Sequence, residues 1–101
     1  MSIKTSLSAD SSALTIEILG RFDFSAHHDF RSAYIDRLPV PQRFCVDLAG
    51  TVVVDSAALG MLLLLRDHAN SHKSTVCIMN ANETVSEILD VSCFDRLFEI
   101  L

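Results

Sequence analysis

Val46-Asp47-Leu48-Ala49-Gly50-Thr51-Val52-Val53-Val54-Asp55-Ser56-Ala57-Ala58-Leu59-Gly60-Met61-Leu62 is the stretch on which the fold of this chain turns. Phe44 to Leu48 is an apolar run of strand length, and it leads into this stretch. Val52 to Val54 is β-branched and resists helix, so it reads as a short apolar loop after the strand. From Ala57 onward the residues are strong helix formers. The pair Asp55-Ser56 therefore stands where a helix begins, a place both residue types favour. An exposed hydroxyl at a helix N-terminus is well placed to receive a phosphate, because the free N–H groups and the helix dipole favour negative charge there.

Outward from this stretch the pattern alternates between strands and helices. Ile3 to Leu7 alternates apolar and polar residues, as a half-buried strand does. Ala9 to Ser12 carries turn formers, and Ala13 to Leu19 follows as a second strand with Leu14, Ile16 and Ile18 on one face. Gly20 is expected to end that strand, leaving Arg21 to Phe24 as a loop and Ser25 as a helix cap. Ala26, Phe30, Ala33, Tyr34 and Leu38 recur at helical offsets, and Pro39 and Pro41 stop the helix. The third strand is read over 42–48, the second helix from Ser56 to about Asn70, and the fourth strand over 75–79. Asn82 caps a third helix over about 83–91, with Val85, Ile88 and Leu89 facing inward. Leu97 to Leu101 is an apolar tail, read as an edge strand or a last helical turn.

The third and fourth strands are joined through a helix, so they are expected to pair in parallel with a right-handed crossover, Val46 and Val76 lying in neighbouring strands. The result is an α/β domain over residues 1–101, a small mixed β-sheet with helices packed mainly on one face.

Composition narrows the function. The 101 residues carry 13 acidic and 8 basic side chains, a formal charge of -5, with no Lys/Arg cluster. That argues against nucleic-acid binding. Apolar runs are too short to span a bilayer, and the first residues lack the apolar core of a signal peptide, so no membrane insertion and a cytoplasmic location are expected. Cys45, Cys77 and Cys93 form no Cys-x-x-Cys pair and read as reduced thiols. His68 and His72 are spaced i, i+4, but no Glu follows His68 as a metalloprotease helix requires. No phosphate-binding Gly-rich loop, nucleophile elbow or Cys-His constellation is present. No catalytic residue, metal or cofactor is assigned, and the chain is not read as an enzyme.

The central stretch resembles the STAS domain, the fold of bacterial anti-sigma factor antagonists. That family shows an apolar strand ending in Asp-Leu, then Asp-Ser-(Ser/Thr/Ala)-Gly-Leu-Gly and an apolar helix. The chain matches at Asp47, Leu48, Asp55, Ser56, Leu59 and Gly60. It departs at Ala57, which stands at the position usually phosphorylated, and at Ala58, which replaces the usual Gly. Gly20 to Ser25 resembles the family's Gly-x-apolar-Asp segment before the first helix, and Ser92 to Arg96 its link after the third helix, where a Gly is usual near Cys93.

The resemblance implies a partner-switching protein. The unphosphorylated form would bind an anti-sigma factor or HATPase-type switch kinase, phosphorylation would end that binding, and a PP2C-type phosphatase would restore it. With no hydroxyl at Ala57, either Ser56 accepts the phosphate or the chain is not switched in this way; Ser56, the one hydroxyl at this helix start, is the expected phosphorylation site. Asp23, Phe24 and Ser25 are expected beside Asp55, Ser56 and Ala57 at the partner surface. On the following helix Leu59, Leu62, Leu63 and Arg66 share one side, and Ala57, Met61, Leu64 and His68 another. The second side is either covered by loops or the tail, or is a docking surface for which Met61 and Leu64 are the contacts. Two other functions fit the resemblance: a STAS subunit docked on the ATPase of an ABC-type lipid transporter, and a small-molecule or nucleotide-binding regulatory STAS domain.

Overall fold

The computed structural model describes residues 2–101; Met1 lies outside the described residues. Strand β1 (Ser2–Leu7) forms an antiparallel hairpin with β2 (Ala13–Phe22). The hairpin turn is tied by Asp10, whose Oδ1 accepts from the Ser8 hydroxyl and from the hydroxyl and backbone N–H of Ser12. Those three bonds favour the ionised carboxylate and hold its pKa at about 2. A single turn of 3₁₀-helix (Phe24–Ala26) leads into α1 (His27–Tyr34). Then come β3 (Arg43–Asp47), β4 (Thr51–Val54), α2 (Ser56–Ser71), β5 (Thr75–Met79), α3 (Glu83–Val91) and the two-residue β6 (Glu99–Ile100).

The sheet runs β1-β2-β3-β5-β6, with β4 also paired to β2. Only β1 is antiparallel to its neighbour; β2–β3, β3–β5 and β5–β6 are parallel. Phe44 stands opposite Val76 and Val46 opposite Ile78, so the expected parallel pairing is present. Each crossover moves the chain the same way across the sheet. With right-handed connections, this places the helices on one face. Burial agrees: Leu14, Ile16, Ile18, Phe44, Val46, Val76 and Ile78 are buried with Phe30, Leu62, Leu65, Val85 and Leu89 in one core. On the opposite face Thr15, Glu17, Arg43 and Cys45 are half-buried. Cys77, between Cys45 and Glu99 in register, is buried, and that burial pushes its thiol pKa up.

Three expectations are corrected here. Thr51–Val54 is a strand, because its β-branched run pairs parallel with the end of β2 and the Thr51 hydroxyl donates to the Ile18 carbonyl at 2.7 Å. Gly20 does not end β2: with φ of 90° it carries the strand through a register shift, so Arg21 and Phe22 remain in the sheet. Opposite this bend, a Cβ at Gly50 would displace the methyl end of the half-buried Leu19 side chain, while the backbone there has room. The third correction is to α1, which ends at Tyr34 rather than Leu38. A proline ring disfavours helix in the residue before it and excludes the carbonyl one turn back, so Pro39 acts before it is reached. The apolar tail is an edge strand on β5. Cys93, in the link where the family usually has Gly, adopts φ of 60°.

Helix α2 packs on α1 through an aromatic cluster. His68 lies 5.1 Å from Tyr34 and 6.1 Å from Phe44 between ring centroids. Its Nε2 is sealed from solvent with no hydrogen-bond partner. Desolvation, with smaller contributions from His72 and Arg31, lowers its pKa below the usual imidazole value. A folded pKa below the unfolded one means that stability is complete above the ordinary value of about 6.5 and declines as pH falls beneath it. Between about pH 8 and about pH 5.5 the urea midpoint is expected to drop more for wild type than for His68→Phe. Equal drops in the two proteins would show that His68 does not carry the effect.

Candidate functional site

The site is assembled by the parallel pairing of β2 and β4. Phe22 and Val54 are register partners, and the Asp55 N–H donates to the Phe22 carbonyl at 3.3 Å. The residues that follow, Asp23 and Asp55, therefore leave the sheet side by side, each opening a helical turn. Asp55 is the N-cap of α2, its Oδ1 accepting from the Ala58 N–H at 2.8 Å. Asp23 caps the 3₁₀ turn, accepting from the backbone and hydroxyl of Ser25. Those bonds hold the Asp23 carboxyl below the usual carboxylate range, so it is charged at neutral pH. The cap is thus Asp23, and Ser25 is its donor rather than the cap itself.

Ser56 is the first residue of α2 and is exposed; Ala57 beside it is half-buried. Its hydroxyl makes no hydrogen bond among the described residues, so nothing competes with modification there. Phe24 is 67% exposed and stacks flat on His27, ring centroids 4.9 Å apart. An exposed phenyl ring beside two carboxylates and a free hydroxyl is an apolar anchor with a polar surround, the composition of a small docking site.

Along α2 the buried residues are Ala58, Met61, Leu62, Leu65 and Ala69. Met61 is 7% exposed and belongs to the core, so it is removed from the partner surface on which it was expected. Leu64, 58% exposed, faces outward as expected, and Leu63 beside it is also exposed. Successive residues turn by about 100°, which places Ser56, Gly60, Leu63 and Leu64 on one outward stripe and Met61 well round toward the sheet. Leu64 lies about 12 Å along the axis from Ser56. A Cβ at Gly60 would meet nothing within 4 Å, so no packing inside this chain calls for glycine at that point. The structure therefore brings Asp23, Phe24, Ser25, Asp55, Ser56 and Ala57 to one end of the sheet, with Leu64 farther down the same helix. The sequence reading put Leu63 on one side with Leu59, Leu62 and Arg66; it lies instead on the outward stripe with Gly60 and Leu64, while Leu62 is buried.

Among the described residues no group of three or more His, Cys, Asp or Glu side chains is arranged to hold a metal, and no helix is long and apolar enough to cross a membrane.

Comparison with known proteins bears on the family and the fold. The sequence model of the family described as "Mlab, STAS domain" matches residues 5–100. A STAS-domain containing protein of Pseudomonas aeruginosa (strain UCBPP-PA14) is 49% identical over 100 residues, covering 99% of both chains. The structure superposes on the anti-sigma factor antagonist SpoIIAA in its unphosphorylated form with a TM-score of 0.81 at 13% identity, covering 99% of this chain and 88% of that one. The phosphorylated form of the Bacillus SpoIIAA gives 0.70 at 10% identity, with coverage of 99% and 91%. The STAS domain of a SulP transporter from Vibrio cholerae gives 0.68 at 17% identity, with coverage of 94% and 75%. At these identities the structural likenesses establish the fold alone, whereas the family match spans nearly every residue: the chain belongs to the STAS domain family.

Proposed function

We propose that this chain is an anti-sigma factor antagonist switched by phosphorylation of Ser56. The observation that carries the reading is the free, exposed hydroxyl of Ser56 at the first position of α2, flanked by the paired caps Asp23 and Asp55 and by the exposed ring of Phe24. Unmodified, this end of the sheet presents Phe24, Ser25, Ser56, Ala57 and Leu64 to an anti-sigma factor or HATPase-type switch kinase. A phosphate on Ser56 would add about -1.5 to -2 charges beside Asp23 and Asp55 and strip the surface of its apolar character. A PP2C-type phosphatase would reverse the change. In this reading the chain is a substrate of other enzymes and catalyses nothing itself.

Incubation with the cognate kinase is expected to add one phosphate, located on Ser56 by fragment mass spectra and absent from Ser56→Ala. Phosphate on Thr51 would sink the assignment. Thr51 is buried and its hydroxyl is already engaged, so modification there would require the β2–β4 pairing to open.

Gly60 supplies a separate test. In an exposed helix interior Gly costs about 1 kcal/mol relative to Ala. Gly60→Ala is expected to raise the melting temperature while weakening the partner, because a helix backbone bare of side chains admits close approach. A more stable protein with unchanged partner affinity would place the contact elsewhere.

A second reading is permanent docking on a transporter subunit, for which the likeness to the STAS domain of a SulP transporter speaks; the ATPase of an ABC-type lipid transporter is the subunit the family resemblance suggests. It predicts a complex that forms equally well whatever the charge at Ser56.

A further inference from the structure

The outer edge of β1 has no strand neighbour among the described residues. We propose that this edge pairs with the same edge of a second copy, antiparallel about a two-fold axis through Thr5, joining two sheets into one. The proposal is independent of the Ser56 switch, which lies at the far end of β2.

The backbone pattern defines the edge. The Ser8 N–H donates to the Ala13 carbonyl, so Ser8 and Ala13 are a hydrogen-bonded pair of the hairpin. Pairs alternate in an antiparallel ladder, so Ser6–Thr15, Lys4–Glu17 and Ser2–Leu19 are the other bonded pairs. The N–H and C=O groups of Ile3, Thr5 and Leu7 consequently point away from β2, and no other strand among the described residues pairs there. This edge is six residues long, has no proline, and carries one charge, Lys4. Lys4 is the one device on it that natural sheets use to blunt an edge.

Side-chain chemistry selects a single register. Partners in an antiparallel pair share a face, and the outward-bonding residues must meet one another, so odd residues pair with odd. Pairing Lys4 with Lys4 would set like charges opposite each other. Pairing Ser6 with Ser6 would shorten the overlap at the turn. Centring on Thr5 places Thr5 opposite Thr5, Ile3 opposite Leu7, and Lys4 opposite Ser6. It satisfies the outward groups of all three odd residues in both copies.

This register also explains Leu7, an apolar side chain 48% exposed at the end of an edge strand. Ile3, Thr5 and Leu7 lie on the helix-covered face, in register with Ile18, Ile16 and Leu14. Beside β1 a groove of about 330 Å³ runs between the strand and α1, lined by Ile3, Thr5, Asp29, Ser32, Ala33 and Arg37. The Leu7 of the second copy would stand next to Ile3 at this groove, out of water on one side. At six residues a side the contact is far smaller than the roughly 20–30 residues a side of stable complexes, so a dissociation constant in the micromolar range or weaker is expected. Each copy carries a formal charge of -5, so salt should strengthen the pairing by screening repulsion.

Sedimentation velocity from about 5 µM to about 500 µM, the range suited to so small a contact, is expected to show the mass rising from 11.1 kDa toward twice that value, more so at high salt. Thr5→Pro removes an N–H that the chain's own sheet does not use, together with the exposed hydroxyl that accepts from Arg37, and should remain monomeric with an unchanged circular dichroism spectrum. If that variant misfolds, Leu7→Lys serves the same purpose. Register is read by cross-linking in a Cys93→Ser background. A mixture of Lys4→Cys and Ser6→Cys chains should form a mixed disulfide dimer, and neither chain should do so alone. A mass independent of concentration in wild type would overturn the proposal, as would self-linking of Lys4→Cys without the mixed product.

Discussion

Ser56→Asp is expected to bind the partner less tightly than wild type, and Ser56→Ala to bind at least as tightly and to resist the kinase. The two substitutions separate because they change charge and leave the core alone. Alanine keeps the surface neutral beside Asp23 and Asp55. Aspartate adds one negative charge to two that are already there, less than the -1.5 to -2 of a phosphate, so it reproduces the phosphorylated state only in part. If full phosphorylation removes about 3 kcal/mol of binding free energy, affinity falls more than a hundredfold, and Ser56→Asp should lie between that and wild type. Stability should barely move. Asp55 is the cap of α2 and stays in place, and Ser56 is exposed, so both variants should melt close to wild type. The measurement is calorimetric titration of the folded proteins with the anti-sigma factor of the same host. Equal affinities of the alanine and aspartate variants would remove the switch and favour permanent docking on a transporter subunit.

The sequence showed most clearly the elements whose ends are marked by turn chemistry. Strand β5 and helix α3 start and stop at the expected residues, because Asn70 to Ser74 and Asn80 to Asn82 punctuate them and Asn82 caps by accepting from the Val85 N–H. Strand β4 was obscured for two reasons. Four β-branched or apolar residues show no period of their own, and the strand they join lies thirty residues earlier, beyond a glycine that reads as a stop. Only the register shift at Gly20 reveals that β2 continues far enough to meet β4. That pairing also sets Asp23 beside Asp55, so both halves of the site could be named from sequence while their adjacency rested on family likeness alone. The aromatic seat of His68 had no sequence signal, since Tyr34, Phe44 and His68 come from three separate elements.

The run Met61 to Leu65 shows where helical periodicity stops helping, and it yields the most decisive pair of substitutions. Five consecutive apolar residues surround a helix, so the run alone cannot say which of them face the sheet. The wider set Ala58, Leu62, Leu65 and Ala69 does say, at offsets of four, seven and eleven, and Met61 sits on its flank. Met61→Asp is therefore expected to unfold the domain. Truncating a buried Met costs about 2–5 kcal/mol, and an unpaired carboxylate placed in the same spot costs several more. The sum rivals the roughly 5–15 kcal/mol of a small domain's total stability. Leu64→Asp, three residues on, should melt close to wild type because it changes an exposed position. If Leu64 is a central contact, its loss should still weaken the partner by about 2 kcal/mol or more, some thirtyfold. Thermal melts followed by circular dichroism, then titration of whichever variants are folded, read both halves. A cooperative melt of Met61→Asp near the wild-type temperature would contradict the core placement. Wild-type affinity in a folded Leu64→Asp would confine the docking surface to the end of α2 around Phe24 and Ser56.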